Sequence, residues 1–288
     1  MKYEKGVFLK ELCLWGRDSL RESSVENPEL ESSLLLSKAL GISAIDIYAY
    51  PKREVESEKI EGFKRLLERR LKKEPIAYIL GEREFYSRPF IVTPDVLIPR
   101  PETETLVEEA LKVTKNISHP LVADAGTGSG CIAVTIACEC MNARIFATDI
   151  SFKALLIAGI NSRRHGTSDR ISLVRMDFLS GFKGESIDIV LSNPPYISKD
   201  DFPKLESSVR DFEPKESLLG GEDGLDCIRK IVHQSRRVLK NGGWCIVEVG
   251  AGQSEGVSEI FDYAGFRDVS SVKDLSRIER VVKGKWIR

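Results

Sequence analysis

Residues 121–131 read LVADAGTGSGC, and this stretch decides the fold. Its first half is a short apolar run typical of a buried strand, and the three glycines that follow predict a tight loop before a helix. Strand-like and helix-like segments alternate from about residue 100 onward, which is typical of a parallel sheet covered by helices on both faces. The last two strand-like runs, residues 266–274 and 277–287, are joined by a short turn and can pair only as antiparallel neighbours.

The sequence divides into three regions. Residues 1–80 carry apolar residues at helical spacing and predict a small helical domain. Residues 81–99 hold aromatic and β-branched runs broken by prolines, which predict a β-hairpin linker. Residues 100–288 predict an α/β domain, a Rossmann-like parallel sheet with a terminal antiparallel hairpin, as in class I methyltransferases. Within it we expect a helix that continues through residue 243 and a fifth parallel strand at 244–250.

Composition excludes several classes of protein. The 288 residues are 42 % apolar and 30 % charged with a net charge of −1, so the chain is globular and lacks the basic excess of a nucleic-acid binder. No apolar run reaches the ~18 residues of a membrane span, and charges interrupt any N-terminal signal sequence. The six cysteines form no CxxC pair and there are three histidines, which predicts reduced thiols and no metal site. We expect a cytoplasmic monomer that binds neither membrane nor nucleic acid directly.

The glycine loop decides which ligand the sheet can hold. Its G-x-G-x-G spacing departs from the G-x-G-x-x-G/A template of dinucleotide-binding loops, because the last template position falls on Cys131. With Asp124 before it, the loop resembles the S-adenosylmethionine (SAM) loop of class I methyltransferases. SAM carries an ammonium group and no phosphate, and we expect Asp124 to help hold that group.

Acidic residues also end the next two predicted strands. Asp149 stands where a carboxylate can accept both ribose hydroxyls of an adenosyl group. Asp177 and Phe178 would bring a polar group for the adenine edge and an aromatic face for its ring to the same rim. Open α/β sheets bind ligands at the carboxyl ends of their strands, so these residues predict one adenosyl site.

The fourth predicted strand ends in Asn193-Pro194-Pro195-Tyr196. Two consecutive prolines cannot continue a central strand or a helix, so the chain must leave the sheet in a stiff, extended conformation. The Asn193 side-chain oxygen and the Pro194 carbonyl could each accept one N–H of a planar amide or amino group and aim its nitrogen at a methyl donor. Methyl transfer is an in-line displacement that gains mainly from such orientation. The Tyr196 ring could pack on the flat substrate group.

These residues alone predict SAM-dependent methylation of a planar nitrogen and leave the substrate open. Similar elements serve DNA adenine N6 and RNA guanine N2 methyltransferases, so a nucleic-acid amino-methyltransferase is one alternative. The near-zero net charge and the lack of an appended basic domain favour a protein substrate. Two further alternatives are an NAD-dependent dehydrogenase, which Cys131 and the double proline disfavour, and a non-catalytic module that binds the translation machinery.

Five segments carry a family resemblance. They are GEREFYSRPFIVTPDVLIPRPETETLVEEAL (81–111), DAGTGSGCIAV (124–134), SNPPYI (192–197), EPKESLLGGEDGLDCIRKI (213–231) and EVGAGQ (248–253). They resemble the HemK/PrmC family of peptide chain release factor glutamine N5-methyltransferases over nearly the whole chain. The run IPRPETE at 98–104 separates this family from the related ribosomal-protein glutamine methyltransferases. Two departures are Ser87, where the family usually has glycine, and Phe178, where it often has tryptophan.

The resemblance implies a reaction and a set of site residues. The enzyme would transfer the methyl group of SAM to the side-chain N5 of the glutamine in the Gly-Gly-Gln (GGQ) motif of class I release factors, leaving S-adenosylhomocysteine. Its SAM contacts would be Gly126, Thr127, Gly128, Ser129, Gly130, Asp149, Phe178 and Asn193. The glutamine amide would be held by Asn193, Pro194, Pro195 and Tyr196. The helical domain of residues 1–80 would help to dock the release factor.

Two charged features keep alternative interpretations open. Six basic residues of the third predicted helix form either a solvated face or a surface that steers an acidic release factor: Lys64, Arg65, Arg69, Arg70, Lys72 and Lys73. Arg100 and Glu102 either cap the helix that follows them or shape the entrance for the glutamine.

Overall fold

The computed structural model describes residues 6–288, which form two compact units. The smaller unit runs to Gly81 and also includes Ser207–Phe212, and the larger unit comprises Glu82–Glu206 and Glu213–Arg288. The first five residues of the predicted helical domain lie outside the described part of the chain. Across residues 6–288, every helix is too short or too polar to cross a bilayer.

The smaller unit is helical, as its apolar spacing predicts. Helices α1 to α5 cover Leu9–Glu22, Pro28–Leu40, Ala44–Ala49, Ser57–Leu71 and Ile76–Leu80. The two-residue strands β1 (Val7–Phe8) and β2 (Glu54–Val55) pair antiparallel. Leu20, Leu35 and Phe63 are fully buried in the core that α1, α2 and α4 share. Burial of each such side chain contributes about 1.5–3 kcal/mol and holds the unit together.

The basic residues of the run 64–73, in the last turns of α4 and just after it, are largely paired within this unit. Their ion pairs are Lys64–Glu61 and Arg69–Glu74, each at 2.5 Å, and Arg70–Glu31 at 2.6 Å. The ammonium group of Lys73 donates to the carbonyl of Ser23 at 2.8 Å. Much of the positive charge is therefore matched by local groups, which favours the interpretation of a structural and solvated face.

A β-hairpin opens the larger unit. Strands β3 (Glu82–Phe85) and β4 (Arg88–Ile91) pair antiparallel, and the turn residues Tyr86 and Ser87 have positive φ of 51° and 57°. A two-residue hairpin turn with positive φ at both residues matches the right-handed twist of the strands and favours glycine. Ser87 therefore adopts a backbone conformation that its side chain disfavours. The buried amide of Asn161 binds both peptide groups of Ile91, at 2.7 and 3.0 Å, and fixes the hairpin to the larger unit.

A seven-stranded sheet forms the centre of the larger unit. Strands β5 to β11 cover Leu121–Ala125, Arg144–Asp149, Ile171–Arg175, Ile187–Ser192, Leu239–Glu248, Arg267–Lys273 and Glu279–Lys285. Their spatial order is β10-β11-β9-β8-β5-β6-β7. Strands β5 to β9 are parallel, and β11 is antiparallel to both β10 and β9. The predicted fold class is confirmed.

Helices cover both faces of this sheet. Helices α6 to α10 cover Glu104–Thr114, Cys131–Glu139, Phe152–Arg164, Asp226–Val238 and Ser254–Tyr263. Helices α6 and α7 bury residues such as Leu106 and Ile132 in one core cluster. Helices α9 and α10 bury residues such as Ile228 and Phe261 in another. The sheet is therefore shielded on both sides, and ligands can reach it mainly at strand ends.

The strand order places a ligand crevice beside β5. The chain continues from β5 to β6 on one side and returns through β8 on the other. Such a reversal leaves a crevice at the carboxyl ends of the strands. The predicted site residues follow these same strand ends.

The start of β9 corrects one prediction. The structure ends α9 at Val238 and begins β9 at Leu239, five residues before the expected strand. Gly242 has φ of 84°, and the pairing of β8 with β9 shifts register between Ile187 and Ile189. The glycines thus form a bulge inside the strand and do not end a longer helix.

Candidate active site

A cavity of about 600 Å³ lies at the crevice in the larger unit. Its volume is in the range of small-ligand and cofactor pockets. The predicted site residues that line it are Gly126, Thr127, Gly128, Ser129, Asp149, Asp177, Phe178, Asn193 and Pro195. The predicted residues outside its wall are Asp124, Gly130, Pro194 and Tyr196.

The glycine loop has a backbone conformation that few other residues could adopt. Gly126 and Gly128 have φ of 78° and 53°, and a Cβ atom on Gly128 would meet no atom within 4 Å. Open space beside this backbone is available to a ligand. At Gly130, in contrast, there is no open space, because an added Cβ atom would lie 3.0 Å from the Cβ atom of Ala158. This glycine lets the loop pack closely against α8.

Asp149 ends β6 and holds the glycine loop. Its Oδ2 accepts a hydrogen bond from the Gly128 N–H and its Oδ1 from the Ser151 N–H, both at 2.9 Å. Each oxygen keeps a further acceptor position, which suits a ribose hydroxyl. Burial raises the pKa of Asp149 above its usual value, and backbone hydrogen bonds from Ser151, Gly128 and Ile150 oppose that rise. Because a carboxylate occupies the Gly128 N–H, a phosphate group is disfavoured at this loop.

Asp124 lies beneath the loop and outside the cavity wall, and its help in holding the ammonium group of SAM stays a prediction. Its side chain is fully buried, and Oδ2 accepts hydrogen bonds from the Thr127 hydroxyl at 2.6 Å and the Ala133 N–H at 3.2 Å. Burial raises the pKa of Asp124 to about 7. Its Oδ1 has no hydrogen-bond partner within residues 6–288. The contacts of Asp124 therefore fix the loop to the start of α7.

Asp177 and Phe178 follow the end of β7 at the cavity rim. The Asp177 carboxylate pairs with Lys230, whose ammonium group lies 5.9 Å from the centre of the Phe178 ring. Phe178 has a positive φ of 51°, and its carbonyl accepts the Thr148 hydroxyl at 2.8 Å. This conformation, unusual for a bulky residue, places the ring 3.6 Å from the Cβ position of Gly126. The ring is available for a flat ligand, whereas the Asp177 carboxylate is already paired.

Asn193 is the first residue after β8 and reaches the same cavity. Its Nδ2 donates to the Thr103 hydroxyl at 3.0 Å, so its side-chain oxygen remains an acceptor for a substrate. Pro194 is buried, and Pro195 lines the wall. A stiff segment with a free amide oxygen therefore borders the crevice that the glycine loop forms.

Tyr196 supports the prolines from behind. Its ring packs against the core cluster of α9 and α10 and lies outside the cavity wall, so its contact with the substrate stays a prediction. Burial, and then the charge of Glu248, raise the pKa of its phenol to about 12. The Gln253 side chain donates to the Tyr196 carbonyl at 2.9 Å. The apolar character of the ring therefore serves packing.

A second segment, residues 218–224, fastens the double proline. The Ile197 N–H donates to the Leu218 carbonyl and the Gly220 N–H donates to the Ile197 carbonyl, each at 2.9 Å. A Cβ atom on Gly220 would lie 2.6 Å from the carbonyl oxygen of Pro195. Only glycine allows the two backbones to approach this closely.

Arg100 belongs to the cavity wall. Its guanidinium pairs at 2.5 Å with Glu213, whose side chain is 1 % exposed and also accepts the Ile98 N–H at 3.2 Å. Glu213 directly precedes the wall residues Pro214, Glu216 and Ser217, so this pair joins their segment to the wall residues of 95–100. It favours the interpretation that Arg100 shapes the entrance over that of a surface cap.

The wall fits SAM better than a dinucleotide. Asp149 has acceptor positions for a ribose, Phe178 offers a ring face, and the glycine backbone leaves open space. Within the described residues, no cluster of His, Cys, Asp and Glu side chains could hold a metal ion, and all six cysteines are free. Fold and site together define a class I SAM-dependent methyltransferase.

Comparison with known proteins narrows this class. Residues 11–81 match the PrmC N-terminal domain and residues 103–206 the methyltransferase small domain. The chain is 40 % identical over 277 residues to the release factor glutamine methyltransferase of Geobacter sulfurreducens, covering 96 % of each chain. It is also 40 % identical to that of Nitratidesulfovibrio vulgaris, covering 95 % of this chain and 94 % of the relative. The chain belongs to the release factor glutamine methyltransferase family.

Solved structures of low sequence identity share the fold. A methyltransferase from Pyrococcus furiosus aligns with a TM-score of 0.52 at 16 % identity, over 78 % of this chain and all 100 % of that chain. The hMettl16 catalytic domain, solved in complex with a MAT2A 3′UTR hairpin, aligns with a TM-score of 0.55 at 16 % identity, over 69 % of this chain and 76 % of that chain. These likenesses concern the fold alone.

Sequence reasoning missed several residues of the site. They are Thr103, Glu213, Gly220, Lys230 and Gln253. The double glycine at 220–221 gave a local signal, since adjacent glycines often mark close approach of two backbones. The other contacts join segments far apart in the chain and leave no local pattern.

Proposed function

We propose that this chain transfers the methyl group of SAM to the side-chain N5 of the glutamine in the GGQ motif of class I release factors. The observation that carries the proposal is that one cavity wall contains both the loop with Asp149 and the stiff segment with Asn193. A methyl donor and a planar nitrogen can therefore be held side by side. The proposed SAM contacts are Gly126, Thr127, Gly128, Ser129, Asp149, Phe178 and Asn193, with Asp124 and Gly130 as supports of the loop.

The proposed chemistry needs orientation more than a strong base. An amide nitrogen is a poor nucleophile, because its lone pair is delocalised into the carbonyl. Two acceptors, the Asn193 side-chain oxygen and the Pro194 carbonyl, would hold its two N–H groups and aim the lone pair at the methyl carbon. A nitrogen–carbon bond forms as the sulfur–carbon bond breaks, and the nitrogen, which becomes acidic, loses one proton to water. Orientation of this kind can be worth about 7–11 kcal/mol.

Three observations support a release factor as the substrate. The relatives from Geobacter and Nitratidesulfovibrio carry that substrate in their names and align over nearly their full length. The net charge of −1 does not suit extensive phosphate contacts. A match to the PrmC N-terminal domain supports residues 1–80 as the docking domain, with residues 81–99 as the hairpin and 100–288 as the methyltransferase domain. We place the enzyme in the cytoplasm, where its thiols stay reduced.

The test is direct. The purified protein is incubated with SAM and a recombinant class I release factor, and the peptide that contains GGQ is analysed by mass spectrometry. We expect one added methyl group on the glutamine side chain and none when that glutamine is replaced by asparagine. Transfer to RNA or DNA supplied in parallel, without transfer to the release factor, would contradict the proposal.

The Asn193→Ala variant tests the assigned role of this side chain. Removing one hydrogen-bond partner of the reacting group should lower kcat by about 10²- to 10³-fold. SAM binding, measured by calorimetry, should change much less, because Asp149 and the loop remain. Near-normal turnover in this variant would show that the amide oxygen does not hold the substrate.

A further inference from the structure

Asn161 carries a buried amide that the proposed reaction does not use. It lies on α8, and its side chain is fully buried. Its Oδ1 accepts a hydrogen bond from the Ile91 N–H at 2.7 Å. Its Nδ2 donates to the carbonyl of Ile91 at 3.0 Å and to that of Ser129 at 2.8 Å. One amide therefore binds two separate segments, the end of the hairpin and the glycine loop.

The bond to Ser129 holds the glycine loop where α8 already touches it. Ser129 lines the cavity, and the next residue, Gly130, packs against Ala158 of α8. Ala158 and Asn161 are three residues apart and so lie on the same face of that helix. The loop is therefore held on α8 both by packing at Ala158 and by the directional hydrogen bond from Asn161.

The bonds to Ile91 hold a different part of the cavity wall. Ile91 ends β4, and the wall residues of 95–100 begin four positions later. The backbone between them turns tightly, since the Val96 N–H donates to the Thr93 carbonyl at 3.0 Å, and Val96 is 1 % exposed. So short and turned a connection has little slack, and a shift of Ile91 should displace the wall.

Burial makes these hydrogen bonds specific. Water does not compete for an amide that is 0 % exposed. The amide oxygen can only accept and the amide nitrogen can only donate, so all three bonds form in one orientation of the side chain. Removing the amide would take these partners from the Ser129 carbonyl and from both peptide groups of Ile91, which is costly for buried groups.

The hairpin also contacts the end of α8 without Asn161. Arg164 pairs with Glu82 at 3.1 Å, and the His165 Nε2 is hydrogen-bonded to the Pro89 carbonyl at 2.9 Å. These contacts should keep the hairpin on α8 when Asn161 is replaced. The expected loss is then one of alignment and not of folding.

We propose that Asn161 is a positioning residue that aligns the glycine loop with the wall residues of 95–100, so that SAM binding also stabilises the hairpin. This inference rests on the proposed placing of SAM against the glycine loop and is independent of the methyl acceptor. The coupling is reciprocal. If the aligned state binds SAM more tightly by some factor, SAM favours the aligned state by the same factor.

SAM calorimetry of Asn161→Ala provides the first test. The variant loses all three hydrogen bonds, so we expect Kd for SAM to rise about 5- to 20-fold. At saturating SAM, kcat should stay within about threefold of the wild type, because Asn193 and the double proline keep their own contacts. The matched control is Ser162→Ala on the same helix, whose buried hydroxyl is hydrogen-bonded to Thr167 at 3.2 Å and whose loss should leave Kd unchanged. An unchanged Kd in Asn161→Ala would overturn the proposal.

Hydrogen exchange tests the coupling without any turnover. Deuterium uptake of residues 82–91 is measured by mass spectrometry in the wild type and in Asn161→Ala, with and without saturating SAM. In the wild type we expect SAM to slow this exchange by about the same 5- to 20-fold, because exchange follows local opening of the hairpin. In Asn161→Ala we expect SAM to leave it unchanged, with residues 28–40 of the smaller unit as the internal reference. Equal slowing in both proteins, or none in the wild type, would refute the proposal.

The experiments separate this inference from the proposed function. Failure of the wild type to bind SAM would overturn both. SAM binding without methylation of a release factor would overturn the proposed acceptor alone. If Asn161→Ala does not fold, the exchange of the wild type with and without SAM still decides whether the hairpin is coupled to the SAM site.

Discussion

Replacing Gly220 by alanine should slow methyl transfer without preventing SAM binding. The Cβ atom would lie closest to the carbonyl oxygen of Gly224 and 2.6 Å from the carbonyl oxygen of Pro195. Ordinary carbon–oxygen contacts begin near ~3.3 Å, so both backbones must retreat, that of Pro195 by about 0.7 Å. The proline rings have fixed φ and cannot absorb this displacement locally, so it should reach the Pro194 carbonyl.

The size of the effect follows from that displacement. A misplacement of about 1 Å can cost about 10²-fold in rate, so a shift of about 0.7 Å should lower kcat by roughly 10- to 100-fold. This corresponds to about 1.4–2.7 kcal/mol in the activation free energy. SAM affinity should stay within about threefold of the wild type, because the glycine loop and Asp149 are not contacted.

The assay combines three measurements on each variant: single-turnover methyl transfer to the release factor, SAM affinity by calorimetry, and thermal unfolding. The matched control is Gly256→Ala on α10, where the nearest atom to the new Cβ is an ordinary contact at 3.8 Å. It should keep full activity and gain stability, because alanine favours a helix over glycine by about 1 kcal/mol. A folded Gly220→Ala variant with unchanged kcat would refute the argument that this close approach positions the prolines.

Three more outcomes follow from the site. Asp149→Ala should weaken SAM binding by about 10- to 100-fold in calorimetry, since the ribose acceptor and the Gly128 partner are both lost; unchanged affinity would contradict this role. The buried carboxyls of Asp124 and Glu248 have pKa values raised to about 7 from ordinary values of 3.8 and 4.5, so the folded state holds protons that the unfolded state has released. Stability should therefore fall as pH rises from about 4 to 7 and then level off, and Glu248→Gln should make the calorimetric Tm fall less steeply with pH; a steeper fall in this variant would contradict the raised pKa of Glu248. Arg100→Ala should lower the free energy of unfolding in urea by about 1–3 kcal/mol because Glu213 loses its partner, and adding Glu213→Gln should recover part of the loss.

The sequence predicted the fold because the decisive signals are local. The apolar run at 121–125 and the glycines after it define β5 and its loop, and both lie where we expect them. The predicted boundary between α9 and β9 was wrong, because Gly242 and Gly243 form a bulge inside the strand. A glycine pair alone does not distinguish a strand bulge from the end of a helix.

The site was only partly predictable, because pattern does not reveal which way a side chain turns. Asp124 ends a strand as expected, yet its carboxylate turns inward to Thr127 and Ala133. Tyr196 follows the prolines as expected, yet its ring joins the core. The hydrogen bond from Asn193 to Thr103 joins two distant segments and needed the folded chain to be seen.

The two walls of the cavity are anchored separately. The N–H groups of Gly126 and Thr127 donate to the Thr148 carbonyl at 2.9 and 2.8 Å, whereas the double proline is tied to residues 218–224. Substitutions in residues 218–224 should therefore shift the double proline, and with it the acceptor group, while the glycine loop keeps its own anchor.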